Sequence, residues 1–62
     1  MRVRELIRLL EADGWMLVRQ VGSHKQFKHP AKAGTVTVSD HPGDVSTKDL
    51  SSVLKQAGIN KP

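Results

Sequence analysis

A histidine stands between a turn and two lysines in the middle of the chain. His24 directly follows Gly22-Ser23, a pair typical of a hairpin turn, and Lys25 and Lys28 come just after it. An imidazole with its ordinary pKa of about 6.5 both accepts and donates protons at cellular pH. Ammonium groups attract phosphate oxygens. The stretch therefore predicts a site that binds a phosphate backbone and moves a proton.

RNA is a substrate for which this small set of groups is sufficient. Its 2′-hydroxyl is an internal nucleophile, so cleavage needs a base for that hydroxyl, cations for the phosphate and a proton for the leaving oxygen, with no metal or other cofactor. We expect His24 to be the general base, a role worth about 10² to 10⁴ in rate. The predicted phosphate contacts come from Arg19, Ser23, Lys25, Lys28 and Lys32.

The group that supplies the second proton is not fixed by the sequence. His29 and His41 are both candidates, but sequence distance positions neither of them. Pro30 ends a strand because it cannot donate to the ladder, so we expect the preceding His29 to be structural. The histidines do not predict a metal site, since strand alternation puts His24 and His29 on opposite faces and no carboxylate pair accompanies them.

The positive charge is concentrated in the middle of the sequence. The formal net charge is +4, and between Gly14 and Ser39 there are four cations and no carboxylate. Outside that segment the cations Arg2, Arg4, Arg8, Lys48, Lys55 and Lys61 are matched one for one by Glu5, Glu11, Asp13, Asp40, Asp44 and Asp49. Such a patch predicts binding to a polyanion, although a solvated lysine face fits four charges equally well.

The length of 62 residues is enough for one small domain, which we place at residues 1–62. A domain of this size buries only about 60% of its unfolded surface, and the sequence has no cysteine to cross-link it. We therefore expect a thin core and added stability from a partner or a second copy. The apolar run 6–10 contains an arginine and is too short for a membrane span or a signal sequence, so we expect a soluble, cytoplasmic protein.

Two segments have the spacing of amphipathic helices, with apolar residues at i, i+3, i+4 and i+7. The first stripe comprises Val3, Leu6, Ile7 and Leu10, and the second comprises Leu50, Val53, Leu54 and Ala57. Gly14 should end the first helix, and Gly58 should end the second. Ser46 and Asp49 have the spacing of a capping signal at the start of the second helix.

Three segments between the helices predict β-strands. Residues 15–20 are apolar without helical spacing, while residues 24–29 and 35–38 alternate. Which face of the first strand is buried stays open. The order predicts a two-layer α+β fold, α-β-β-β-α, in which a three-stranded antiparallel sheet has both helices on one face. This is the arrangement of double-stranded-RNA-binding domains.

Alternation along the second strand decides which side chains are exposed. Phe27 is the only phenylalanine, so its face should join the core, together with the valines of the third strand. His24 and Lys28 then face outward together. Lys25 lies on the Phe27 side, but its stem can follow the sheet edge and bring the ammonium group to solvent. Trp15 fits the core better than a base-stacking surface.

Several short motifs occur together in this chain. They are Gly14-Trp15, Arg19-Gln20, Gly22-Ser23-His24, Phe27 to Pro30, Val36 to Val38 and Leu50 to Gly58. With these motifs the chain resembles HicA-type mRNA interferase toxins, from about Leu6 to Ile59. The resemblance implies a double-stranded-RNA-binding-domain-like fold, ribosome-independent cleavage of messenger RNA and a catalytic His24. It also implies a HicB-type antitoxin that masks this histidine, with operator DNA bound only through the antitoxin complex.

Two other function classes remain open from the residues alone. A catalytically silent RNA-binding module needs only the basic segment. A protein-interaction domain that docks an acidic partner would use the same charges.

Overall fold

The computed structural model describes residues 1–59 of the chain, and Lys61, one of the terminal cations, lies outside them. Five elements follow one another along the chain. They are α1 (Val3–Asp13), β1 (Met16–Val21), β2 (His24–Lys28), β3 (Val36–Ser39) and α2 (Thr47–Ala57). The strands form one antiparallel sheet in the order β1-β2-β3. The predicted α+β fold with the order α-β-β-β-α is confirmed.

Both helices end at the predicted glycines, and α2 begins at its predicted capping signal. α1 closes at Gly14, whose φ of +106° is a conformation that favours glycine. α2 starts after Ser46, whose Oγ accepts a hydrogen bond from the Asp49 N–H at 3.1 Å. Beyond α2, the Ile59 N–H donates to the Leu54 carbonyl at 3.0 Å, which turns Ile59 back onto the core. Within residues 1–59, neither helix is long and apolar enough to cross a bilayer.

The core lies between the two helices and one face of the sheet. Its buried residues are Val3, Leu6, Leu10, Trp15, Phe27, Val36, Val38, Val53, Leu54 and Ala57. Phe27, Val36 and Val38 are therefore inside, as predicted. Trp15 is only 1% exposed and is a core residue, not a base-stacking surface. Because both helices pack on the Phe27 side, neither of them covers the other face of the sheet.

β1 lies at the edge of the sheet and adds none of its side chains to the core. All six of its residues are exposed, and Met16, Leu17, Val18 and Val21 are 47–59% exposed. The register shifts between Leu17 and Arg19, which makes Val18 a bulge. The sequence left open which face of this strand is buried. Neither face is, because the buried helix residues pack against β2 and β3.

Candidate active site on the sheet

Three candidate functional side chains share one face of the sheet. In β2, Phe27 points into the core, so His24, Gln26 and Lys28 lie on the opposite face. Arg19 of β1 is paired with Gln26. Diagonal neighbours in an antiparallel ladder lie about 7–8 Å apart, and Arg19 is a diagonal neighbour of both His24 and Lys28. We call the surface formed by these four residues the open face.

The β1–β2 turn holds His24 at the end of its strand. Val21 is paired with His24, so Gly22 and Ser23 form a two-residue turn. Gly22 has a φ of +58°, as expected for the first position of a type II′ hairpin turn. The Ser23 carbonyl accepts a hydrogen bond from the Asp40 N–H at 2.7 Å. This bond ties the segment after β3 to the turn that carries His24.

The His24 imidazole is accessible for proton transfer. The residue is exposed, and among residues 1–59 its ring makes neither a hydrogen bond nor an ion pair. By contrast, the rings of both other histidines are hydrogen-bonded. The position of His24 at a strand end therefore leaves its ring nitrogens available to a substrate, as the general-base role requires.

A groove of about 240 Å³ on the helix side of the sheet is lined by residues of α1, β3 and α2, and it reaches His24 at the end of β2. Its polar lining comprises His24, Thr37, Ser39, His41, Asp49, Ser52 and Gln56. His24 and His41 thus both line one groove, which no sequence pattern predicted. Within residues 1–59, no three His, Cys, Asp or Glu side chains lie close enough to hold a metal ion.

Lys25 is bound to a carboxylate on the helix side of the sheet. Lys25 is paired with the core residue Val38. The Lys25 side chain is only 22% exposed. The Lys25 Nζ lies 2.7 Å from Asp40 Oδ2. A phosphate contact by Lys25, which the sequence predicted, would therefore require this ion pair to open.

Lys32 joins the ends of the two helices. Its Nζ donates to Asp13 Oδ2 at 2.6 Å, at the end of α1, and to the carbonyls of Ala57 at 3.0 Å and Gly58 at 3.3 Å, at the end of α2. The hydrogen bond from Lys32 holds the pKa of the Asp13 carboxyl below its usual value. With three acceptors around its ammonium group, Lys32 ties the two helix ends together, and the phosphate contact that the sequence predicted for it stays a prediction.

His29 is a structural residue, as predicted. Its Nδ1 accepts hydrogen bonds from the N–H groups of Ala31 at 2.9 Å and Lys32 at 3.2 Å. The ring hydrogen therefore belongs to Nε2, which donates to the Asp13 carbonyl at 2.6 Å. The ring also meets Trp15 edge-on, with centroids 5.3 Å apart. Because both nitrogens are engaged, His29 is not available as the second proton-transfer group.

The tertiary structure changes where the positive charge is found. Lys25 and Lys32 pair with Asp40 and Asp13, which lie just outside the carboxylate-free segment of the sequence. Counting charges along the chain misses such pairs because it ignores contacts made on folding. The two central cations that make no ion pair among residues 1–59 are Arg19 and Lys28, and both lie on the open face.

Comparison with known proteins agrees with the resemblance seen in the sequence. The sequence model of the HicA toxin of bacterial toxin–antitoxin systems matches residues 3–59. A search of curated proteins found no match. The matched range includes both helices, the whole sheet and the turn before His24. The chain therefore belongs to the HicA toxin family and is the toxin of a toxin–antitoxin pair.

Proposed function

We propose that this HicA toxin is an endoribonuclease that cleaves messenger RNA with His24 as its general base. The observation that carries the proposal is the open face. There an exposed imidazole lies diagonal to Arg19, which is in turn diagonal to Lys28. An RNA strand that binds across this face has its phosphates next to two cations, Arg19 and Lys28, and next to the general base His24.

The reaction needs only the RNA and these side chains. The His24 imidazole takes the proton of a 2′-hydroxyl, the 2′-oxygen attacks the adjacent phosphorus, and the bond to the 5′-oxygen breaks. Arg19 and Lys28 bind the non-bridging oxygens, on which negative charge grows in the transition state. The products are a 2′,3′-cyclic phosphate and a 5′-hydroxyl. The general base contributes about 10² to 10⁴ to the rate.

The other predicted phosphate ligands have supporting parts in this proposal. The Ser23 hydroxyl, exposed at the turn, donates a hydrogen bond to a phosphate next to His24. Lys25 and Lys32 have carboxylate partners at 2.7 and 2.6 Å. We therefore assign these two lysines to holding the segments around the site in place.

Membership of the HicA family implies an antitoxin partner. We propose that the partner is a HicB-type protein and that it inhibits by covering the open face. A protein bound there covers His24, Arg19 and Lys28 together, so that RNA cannot reach them. RNA and antitoxin should then compete for the toxin, and an excess of RNA should slow formation of the complex.

The direct experiment is incubation of purified toxin with RNA in the presence of a metal chelator. Wild type and Lys48→Ala, which removes an exposed charge in the first turn of α2, should cleave at similar rates. His24→Ala should be slower by about 10² to 10⁴, while its circular dichroism spectrum stays that of wild type.

Two results would contradict the proposal. Cleavage by His24→Ala at the wild-type rate would remove His24 from the mechanism. RNA binding by wild type without any cleavage would identify the chain as an RNA-binding module.

A further inference from the structure

We propose that His41 is the general acid that protonates the leaving 5′-oxygen, which makes His24 and His41 an acid–base pair across one groove. This inference rests on the proposed ribonuclease function and extends it. A phosphodiester cleavage that begins with removal of one proton needs a second proton at the leaving oxygen. Of the two remaining histidines, only His41 has a ring nitrogen available for this role, since both nitrogens of His29 are bonded to backbone groups.

The segment that carries His41 is fixed to the residues on both sides of His24. Asp40 makes two contacts: its N–H donates to the Ser23 carbonyl at 2.7 Å, and its Oδ2 lies 2.7 Å from Lys25 Nζ. Ser23 and Lys25 are the neighbours of His24 in sequence, and Asp40 is the neighbour of His41. These two contacts bring the two histidines to the same groove.

The ladder between β2 and β3 supports the same arrangement. His24 is paired with Ser39, the last residue of β3, so the chain leaves the sheet directly opposite His24. His41 follows two residues later and lines the groove together with His24 and Ser39. The juxtaposition therefore arises from strand pairing and does not depend on the conformation of one exposed side chain.

The hydrogen bond made by the His41 ring suits a proton donor. Its Nδ1 lies 3.1 Å from the Pro42 carbonyl, which can only accept, so Nδ1 carries a hydrogen. This bond is kept whether or not the ring is charged, and Nε2 is left as the nitrogen that gains and loses the proton. The backbone carbonyl on Nδ1 fixes the ring and leaves Nε2 as the nitrogen available to a leaving oxygen.

Charged groups of both signs surround His41. Asp49 of α2 lies in the shared groove. On its other side, His41 lines a second depression with Arg2, Arg4 and Asp40, at the start of α1. His41 therefore lies between a groove that contains Asp49 and a depression that contains two arginines.

The complete step balances in protons and bonds. The 2′-hydroxyl proton moves to His24, the bond from the 2′-oxygen to phosphorus forms, and the bond from phosphorus to the 5′-oxygen breaks. The proton on His41 Nε2 moves to that 5′-oxygen. His24 ends protonated and His41 ends neutral, and exchange with water restores both. No metal, oxidant or further reactant takes part.

The test compares two substrates cut at one position, mapped beforehand with wild type. One is ordinary RNA, and the other has sulfur in place of the 5′-oxygen at the cut. Sulfur leaves as a thiolate and needs no proton, because a thiol has a pKa of about 8.5. On ordinary RNA, His41→Ala should be slower than wild type by about 10² to 10⁴. On the sulfur substrate it should be close to wild type.

His24→Ala and Lys48→Ala complete the comparison. His24→Ala should be slow on both substrates, because the nucleophile still needs its base, and Lys48→Ala should match wild type on both. Equal cleavage of ordinary RNA by His41→Ala and wild type would overturn the role of His41 while leaving the ribonuclease function standing. An equal loss by His41→Ala on both substrates would make His41 a structural residue. Absence of cleavage by wild type would overturn the ribonuclease function and this proposal together.

Discussion

Lys25 Nζ and Asp40 Oδ2 form an ion pair of 2.7 Å that joins β2 to the segment after β3. Through this contact a residue beside His24 holds a residue beside His41. The pair has two consequences. It engages one lysine that could otherwise bind RNA. It also adds to the strand pairing a side-chain contact that helps to fix the spacing of the two histidines and that can be removed without changing either of them.

Replacement of Lys25 by methionine therefore separates positioning from phosphate binding. Lys25→Met keeps the length of the stem but loses the ion pair, so of the two contacts that tie Asp40 to the neighbours of His24 only its N–H bond to Ser23 remains. We expect a lower single-turnover rate with nearly unchanged RNA affinity. Lys28→Met should instead weaken binding. Fluorescence anisotropy measures the RNA affinity of both variants, and single-turnover kinetics measures their cleavage rates. A larger loss of affinity for Lys25→Met than for Lys28→Met would contradict the positioning role of Lys25.

The salt dependence of binding counts the phosphate contacts. With Arg19 and Lys28 as the cations on single-stranded RNA, the plot of log K against log salt should have a slope of about −1.4, from about −0.7 per contact. Four contacts, one for each central cation of the sequence, would give about −3. Arg19→Ala or Lys28→Ala should reduce the slope by about 0.7, while Lys48→Ala should not change it. A wild-type slope near −3 would contradict this count, because it would mean that Lys25 and Lys32 also contact phosphates.

The Asp13–Lys32 ion pair should make stability depend on acid pH. Because the hydrogen bond from Lys32 lowers the pKa of Asp13 in the folded chain, the pair stabilises the fold above the ordinary carboxyl pKa of about 3.9 and loses this effect as pH falls through the lowered value. At pH 6 the Tm of wild type should exceed that of Asp13→Asn, and the difference should shrink with increasing acidity. A difference that grows in acid would contradict the role of the pair.

Much of the fold follows from local sequence signals. The two helical stripes, the glycines that end the helices and the Gly22-Ser23 turn each depend on neighbouring residues, so their positions are readable from the chain. The assignment of Phe27 to the core, and with it the exposure of His24 and Lys28, followed from strand alternation and one large apolar side chain. The proline that follows it placed His29 in a structural role.

The features that sequence could not supply are contacts between distant residues. Nothing in the local pattern of residues 16–21 shows that β1 is an edge strand that neither helix covers. Its apolar side chains therefore suggested burial. The Lys25–Asp40 pair depends on how β3 joins its loop, and the meeting of His24 with His41 depends on the β2–β3 register. The identity of the second proton-transfer group is therefore a tertiary property, which residue types and spacing left open.

The close approach of Gly14 to His29 gives a prediction about stability. Gly14 and Gly43 have nearly equal φ values, +106° and +105°. An added Cβ meets His29 Nε2 at 2.7 Å at Gly14 but nothing within 4 Å at Gly43. Gly43→Ala should lower the free energy of unfolding only by the penalty for an alanine in the left-handed region, about 1–2 kcal/mol. Gly14→Ala should cost more, because it also displaces the ring that donates to the Asp13 carbonyl.

Urea denaturation of the two alanine variants measures this difference directly. A larger drop in the free energy of unfolding for Gly14→Ala is the expected result. Equal drops in the free energy of unfolding would mean that the His29 ring moves aside without destabilising the fold. The hydrogen bonds of His29 would then not be needed to hold the segment after β2 against α1.

The most direct test of the central claim is removal of the nucleophile from the substrate. An RNA in which a single 2′-hydroxyl is replaced by hydrogen, at the nucleotide on the 5′ side of a mapped cut, is incubated with wild-type toxin and chelator. If His24 acts by activating that hydroxyl, the modified position should resist cleavage, while the unmodified RNA should give a 2′,3′-cyclic phosphate and a 5′-hydroxyl. Equal cleavage of both RNAs at this position would contradict the account, because the nucleophile would then be something other than the RNA itself.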